Sequence, residues 1–133
     1  FRAQMAADGV DNISYFGNAA VLAAYSRQGD LWVEALRERI RENARVFADF
    51  FRGKLPEVLV TELEGTYLQW ADFRAWDMNA RELAEFMRGR ARLILDEGAI
   101  FGPSGEGFER FNLALPEGEL RKALSRLEAA RRG

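Results

Sequence analysis

The chain has 133 residues, 48% of them hydrophobic, with ten Phe and three Trp, which is enough for the core of one domain. A formal net charge of −2 gives no electrostatic footprint for nucleic acid or an anionic membrane, and no apolar run approaches the ~18 residues of a spanning helix. There is no Cys and no His, which excludes disulfides, thiolate nucleophiles, imidazole bases and metal sites built on nitrogen or sulfur; of nineteen basic residues only Lys54 and Lys122 are lysines. The chain opens on "FRAQMAADGVDN", with no initiating Met and no signal-peptide pattern, and reads as a piece that begins inside something larger.

Residues 13–28, "ISYFGNAAVLAAYSRQ", carry Ala, Leu and aromatic residues on nearly every side, the pattern of a helix buried on more than one face. Gly29 is expected to stop it as a left-handed cap, and Asp30 to start the next helix as its N-cap. From Asp30 to about Arg52 the apolar residues Val33, Leu36, Ile40, Ala44, Phe47 and Phe51 fall at three- and four-residue spacing and make one stripe. Arg37, Glu38, Arg39, Arg41, Glu42 and Arg45 make a solvated charged face. Gly53 and Pro56 end the helix.

Two β-rich runs follow, "EVLVTE" (57–62) and "GTYLQWADF" (65–73), a strand pair or bulged hairpin about Glu64 and Gly65. Glu62 and Glu64 read as an exposed acidic turn. Tyr67 and Trp70 fall on opposite strand faces, with core packing the expected role of both. Asn79 with Glu82 three residues on predicts a capped helix to about Gly89, turning Leu83, Phe86 and Met87 inward. A short strand at "RLIL" (92–95), a glycine loop and a strand at "FERFNLAL" (108–115) come next. An amphipathic helix from Glu117 to Arg131, through Leu120, Ala123, Leu124 and Leu127, closes the chain. The order α-α-β-β-α-β-β-α predicts an α+β fold: a small, mainly antiparallel sheet packed against helices.

Side chains two apart on a strand share a face, so Glu109, Phe111, Leu113 and Leu115 point one way and Phe108, Arg110, Asn112 and Ala114 the other. The first set is core; the second is mixed and polar, with a guanidinium at its centre. Arg110 has two readings at this point. It is a structural arginine paired with Glu106, Glu109 or another surface acid, or it faces a polar cleft where its planar fork grips a carboxylate or phosphate. The preceding "GPSGEG" is not a phosphate cradle, because such loops open a helix, whereas this one opens a strand and carries Glu106. Its glycines serve turns and close backbone approach.

Taken together, "EGTYLQWADFR" (64–74), "LDEGAIFGPSGEGFERFNLALP" (95–116) and the closing helix resemble the C-terminal segment of fold-type I pyridoxal-phosphate enzymes. The likeness is to the MalY/PatB type of cystathionine β-lyase, related to class I and II aminotransferases. Residues 12–47 are similar to the part leading into that family's long interdomain helix, so the likeness spans essentially the whole chain. The pattern G-x-x-F-G-x-x-G-x-G-F-x-R-x-N-x-A-x-P with an upstream E-G-T-Y-L-x-W is specific in combination.

The resemblance implies an aminotransferase-type C-terminal domain preceded by long helices. Residues 1–29 would lead out of a missing large domain, and residues 30–133 would form the small domain. It implies that Arg110 holds the α-carboxylate of an amino-acid substrate. The parent would then be a cytoplasmic, homodimeric C–S lyase dependent on pyridoxal 5'-phosphate. It would cleave cystathionine or another cysteine conjugate by α,β-elimination to a thiol, pyruvate and ammonia; an aminotransferase of the same family is the alternative. The family's Schiff-base lysine, the aspartate facing the pyridine nitrogen, the ring-stacking aromatic and the phosphate-binding groups belong to the large domain. None maps here. Lys54, in "RGKLPE", and Lys122 lack the desolvated setting Schiff-base chemistry needs. This chain is therefore expected to supply substrate binding through Arg110, with no catalytic residue, cofactor ligand or metal ligand of its own. The reading from a different class is a free-standing interaction module that keeps the sheet.

Overall fold

A computed structural model describes residues 1–9 and 14–133, so Ile13, the expected first residue of the apolar helix, lies outside the described residues. The chain divides into two compact units, Phe1–Arg37 and Glu38–Gly133.

In the Phe1–Arg37 unit a short helix α1 spans Arg2–Ala7 and α2 spans Tyr15–Ala24, with the Ser14 hydroxyl accepting the Gly17 N–H. Helix α3 begins at Arg27 and continues to Lys54. Gly29 and Asp30 lie inside it, contrary to the expected stop and start. Ser26 makes the break instead. Its hydroxyl donates to the Ala23 carbonyl at 2.7 Å and accepts the Gly29 N–H at 3.2 Å, the geometry of an N-cap serving the third helical residue. Gly29 is needed for space rather than for a left-handed turn, because a Cβ there would lie 2.0 Å from the Ala24 carbonyl oxygen. The apolar α2 is buried on no face in this chain. Tyr15, Phe16, Val21, Leu22 and Tyr25 are exposed, as are Leu31, Trp32 and Val33 in α3.

In the Glu38–Gly133 unit four strands form one antiparallel sheet in the order β1-β2-β4-β3. They are β1 Leu59–Val60, β2 Leu68–Asp72, β3 Asp96–Glu97 and β4 Phe108–Asn112. Helix α4, Ala80–Glu85, runs on as a π-turn over Phe86–Arg90, and α5 spans Glu117–Arg132. The fold is α+β, as the element order predicts. Strand β4 is central, its five residues paired with β2 from Leu68↔Asn112 to Asp72↔Phe108, and Asp96↔Arg110 and Glu97↔Glu109 paired on its other edge.

The inner face of β4 follows the alternation: Glu109, Phe111 and Leu113 are buried. Phe111 meets Phe47 of α3 edge-on at 4.9 Å between ring centroids, and Phe51 and Phe73 complete the aromatic cluster. Leu83, Phe86 and Met87 close one side and Leu120, Leu124 and Leu127 of α5 another, as their periodicity requires. Each such side chain contributes roughly 1.5–3 kcal/mol by leaving water. The capping box at the start of α4 is present in full, Asn79 accepting the Glu82 N–H at 3.0 Å and Glu82 the Asn79 N–H at 2.9 Å.

This unit also departs from the sequence reading: the expected strands 57–62 and 108–115 shorten to β1 and β4. Residues 92–95 form no strand; strand pairing begins at Asp96. The Ala91 N–H donates to Phe86 and the Leu93 N–H to Met87, so this backbone is spent on the end of the π-turn, and Arg92 takes a positive φ of 55°. Tyr67 is exposed, and Trp70 is half-buried on the outer sheet face, so neither is a core residue. Asn43 stands inside the apolar stripe of α3, fully buried. Its amide donates at 2.8 Å to both the Leu113 and Leu115 carbonyls, holding the chain as it leaves β4.

Glu109 is a carboxyl on the core side of the sheet, 1% exposed, with its Oε2 unpartnered. Burial, then the charges of Glu97 and Asp96 against that of Arg88, raise its pKa from 4.5 to about 7. The folded chain keeps a proton that the unfolded chain releases, so stability falls as pH rises from 4.5 to about 7. Glu109→Gln should flatten that slope and stabilise the chain above pH 7 by up to roughly 3 kcal/mol. Urea titrations of both proteins from pH 4 to 8 check it; parallel profiles contradict it. The exposed apolar residues of Phe1–Arg37 make a second prediction: the 133-residue chain self-associates with rising concentration in sedimentation experiments. A monomer at all concentrations contradicts it.

Candidate substrate-carboxylate site

The outer face of the sheet places three side chains in one row. Trp70 of β2, Arg110 of β4 and Asp96 of β3 are direct cross-strand partners. Asp96 Oδ2 accepts from Arg110 Nε at 3.1 Å and from Nη2 at 2.8 Å. The Arg110 guanidinium lies 4.4 Å from the centroid of the Phe101 ring and 6.0 Å from that of Trp70, which meets Phe101 edge-on at 5.3 Å. The Arg110 side chain is 23% exposed and that of Asp96 48%. Neither Glu106 nor Glu109, the two acids named as candidate partners, pairs with it; its partner is a different acid, Asp96.

The glycine loop is what brings Phe101 over the guanidinium. It makes two 3₁₀ turns, Gly98–Phe101 and Pro103–Gly105, whose ends touch. A Cβ on Gly98 would lie 2.1 Å from the Gly105 carbonyl oxygen, and one on Gly105 equally close to that of Gly98. No larger residue fits either position without moving the loop. Gly107, at φ +79°, then turns the chain into β4, and its carbonyl accepts the Phe73 N–H at 2.8 Å. An apolar depression of about 270 Å³ lies beside the row, lined by Thr61, Trp70, Phe101, Ser104, Gly105 and Phe108.

A second arginine occupies the far end of this face. Arg74 lies over the Phe108 ring at 4.8 Å and is clasped by both oxygens of Asp72, whose carboxyl it holds below the usual carboxylate range through their hydrogen bond. Arg74 is well exposed and its partner is fully engaged, so it reads as a surface ion pair.

Residues 3–127 match the family described as Aminotransferase class I and II. The chain belongs to that family. Cystathionine β-lyase PatB of Bacillus subtilis is 33% identical over 130 residues, covering 98% of this chain and 33% of its own length. Among solved structures, cystalysin from Treponema denticola, which contains a pyridoxal 5'-phosphate cofactor, is 40% identical with a TM-score of 0.87, over 91% of this chain and 30% of that one. A PLP-bound C–S lyase from Staphylococcus hominis is 30% identical with a TM-score of 0.73, over 81% and 29%. The chain thus spans about a third of the length of the proteins it matches.

Neither lysine of this chain is set to form a Schiff base with the cofactor that those structures hold. Lys54 is 52% exposed beside Glu128, and Lys122 is 71% exposed and bonded to Glu119 at 2.8 Å. Neither has the dry surroundings that Schiff-base chemistry needs. Among the described residues no cluster of three or more His, Cys, Asp or Glu could hold a metal, and no helix is long and apolar enough to cross a membrane. Treating the chain with equimolar pyridoxal phosphate and then borohydride should leave no stoichiometric adduct on Lys54 or Lys122 by mass spectrometry. A stoichiometric adduct on either contradicts this.

The site is only partly visible in the sequence. Alternation along β4 places Arg110 on the outer face. Asp96 escapes because the strand is expected four residues early, and a ten-residue connection gives no turn type from which to read register. Phe101 escapes because its position depends on the Gly98–Gly105 contact.

Proposed function

We propose that the chain is the small domain of a pyridoxal-phosphate-dependent C–S β-lyase of the cystathionine β-lyase type, with Arg110 binding the α-carboxylate of its amino-acid substrate. Residues 1–29 would lead out of a large domain and residues 30–133 form the small one, in a cytoplasmic homodimer. The observation that carries the reading is the state of Arg110. It stands on the outer face of the sheet, the Nε–Nη2 edge of its guanidinium bonded to Asp96 and its Nη1 making no hydrogen bond among the described residues. The names of PatB and the C–S lyase support lyase chemistry for a protein of this family.

The work done by this chain is binding and orientation. A guanidinium gripping both oxygens of a carboxylate fixes its plane and the direction of the C–Cα bond; with the amino group held from outside this chain, the bond to be broken would then be presented in one geometry. The cofactor of such an enzyme would be held by residues outside this chain, and no proton transfer is assigned to any residue here. The family description also favours a second reading, transamination. Assaying the full-length protein with L-cystathionine, and separately with a 2-oxo acid acceptor, separates the two: thiol and pyruvate release supports the lyase, and amino-group transfer without thiol release supports the transaminase.

In the full-length protein Arg110→Lys keeps the charge but loses the fork. It should weaken use of an α-amino acid by roughly 2–5 kcal/mol in kcat/KM, and Arg110→Ala by at least as much. Cofactor absorbance should be unchanged in both. Stability should fall by no more than about 1 kcal/mol, the range of a partly exposed ion pair. A large loss of stability with substrate use intact would make Arg110 a structural residue and defeat the proposal.

A further inference from the structure

We propose that Asp96 is a positioning residue that presents Arg110 to the substrate carboxylate, an inference that rests on the role proposed for Arg110 above. A guanidinium offers five N–H donors, and a carboxylate can take either its lateral Nε–Nη2 edge or its terminal Nη1–Nη2 pair. Here the lateral edge is taken by a single oxygen, Asp96 Oδ2. Arg110 Nη1 makes no hydrogen bond among the described residues, which leaves the terminal fork for a second carboxylate.

The contact differs from the surface ion pairs of the helices. Asp96 and Arg110 are direct partners in the β3–β4 ladder, so backbone pairing and not the chance meeting of two mobile side chains brings them together. Phe101 covers the guanidinium from a loop that two mutually touching glycines hold in place. Glu97, the neighbouring strand residue, faces the other side of the sheet and is engaged by Arg88. Among the described residues Asp96 thus has one partner and one face to serve.

Two effects of Asp96 oppose each other. Its charge repels an incoming carboxylate, while its hydrogen bonds hold the long arginine side chain in one orientation before the substrate arrives. Asp96 sits on the lateral edge and is about half exposed, so solvent and salt screen the repulsion. The ordering gain is not screened, because an arginine otherwise gives up its rotamer freedom at the moment of binding. Ordering wins on this geometry.

The test is equilibrium binding to the full-length holoenzyme of L-alanine, which has no β-leaving group, and of L-alaninamide, which has no carboxylate. Asp96→Ala should weaken L-alanine binding roughly tenfold and leave L-alaninamide within about twofold. Asp96→Asn should lose less, because its amide oxygen still accepts from the same edge. Adding Asp96→Ala to Arg110→Lys should change nothing further, and for Asp96→Ala the KM of L-cystathionine should rise with kcat unchanged. If Arg110→Lys weakens L-alanine but both Asp96 variants bind it as well as or better than wild type, the Asp96 role is overturned and that of Arg110 stands. If Arg110→Lys has no effect, the carboxylate reading itself fails. Equal losses for L-alanine and L-alaninamide would make Asp96 merely structural and also overturn the proposal. Should the alanine variant fail to fold, the near-isosteric Asp96→Asn decides.

Discussion

The antiparallel pairing of β4 with β2 along five residues, closed on the other edge by two residues of β3, is the constraint on which the site depends. Because a strand alternates its side chains, one register fixes two surfaces at once. Inward it commits Phe111 and Leu113 to the aromatic cluster with Phe47 and Phe51. Outward it sets Arg110 between Trp70 and Asp96. A slip by one residue would bury the guanidinium and expose the phenylalanine, so the hydrophobic core itself holds the arginine in place. Asn43 reinforces this from α3 by bonding the carbonyls of Leu113 and Leu115, where pairing with β2 has ended.

The same register creates a cost on the inner face. Glu97 and Glu109 are opposed across β3 and β4, a like-charge pair, with Glu109 buried. Arg88 engages Glu97, and the raised pKa of Glu109 is the local response to burial and to that neighbour. Asp96 and Glu97 thus face opposite sides of the sheet, one serving Arg110 and the other burdening the core.

Features set by local chemistry were legible in the sequence: the Asn79–Glu82 capping box, the inward residues of α4 and α5, and the two faces of β4. Features set by tertiary contact were not. The π-turn after Glu85 draws the backbone of residues 91–93 away from strand geometry, and no periodicity announces that. Ser26 outcompetes Gly29 as the punctuation before α3 because its hydroxyl serves both neighbouring turns. Asn43 breaks an apolar stripe, and its purpose appears only with the carbonyls it meets seventy residues later. Arg110 had two open readings from its own strand alone, and the partner that best explains its orientation lies on a strand expected elsewhere.

The central claim is that the open fork of Arg110 is where the carboxylate of an α-amino acid binds. A crystal structure of the full-length protein with a bound α-amino acid tests it most directly. The account predicts the ligand carboxylate on Arg110 Nη1 and Nη2, with Asp96 still on the Nε edge and Phe101 still over the guanidinium. A ligand carboxylate held by other residues, with Arg110 bonded to Asp96 alone, would contradict it.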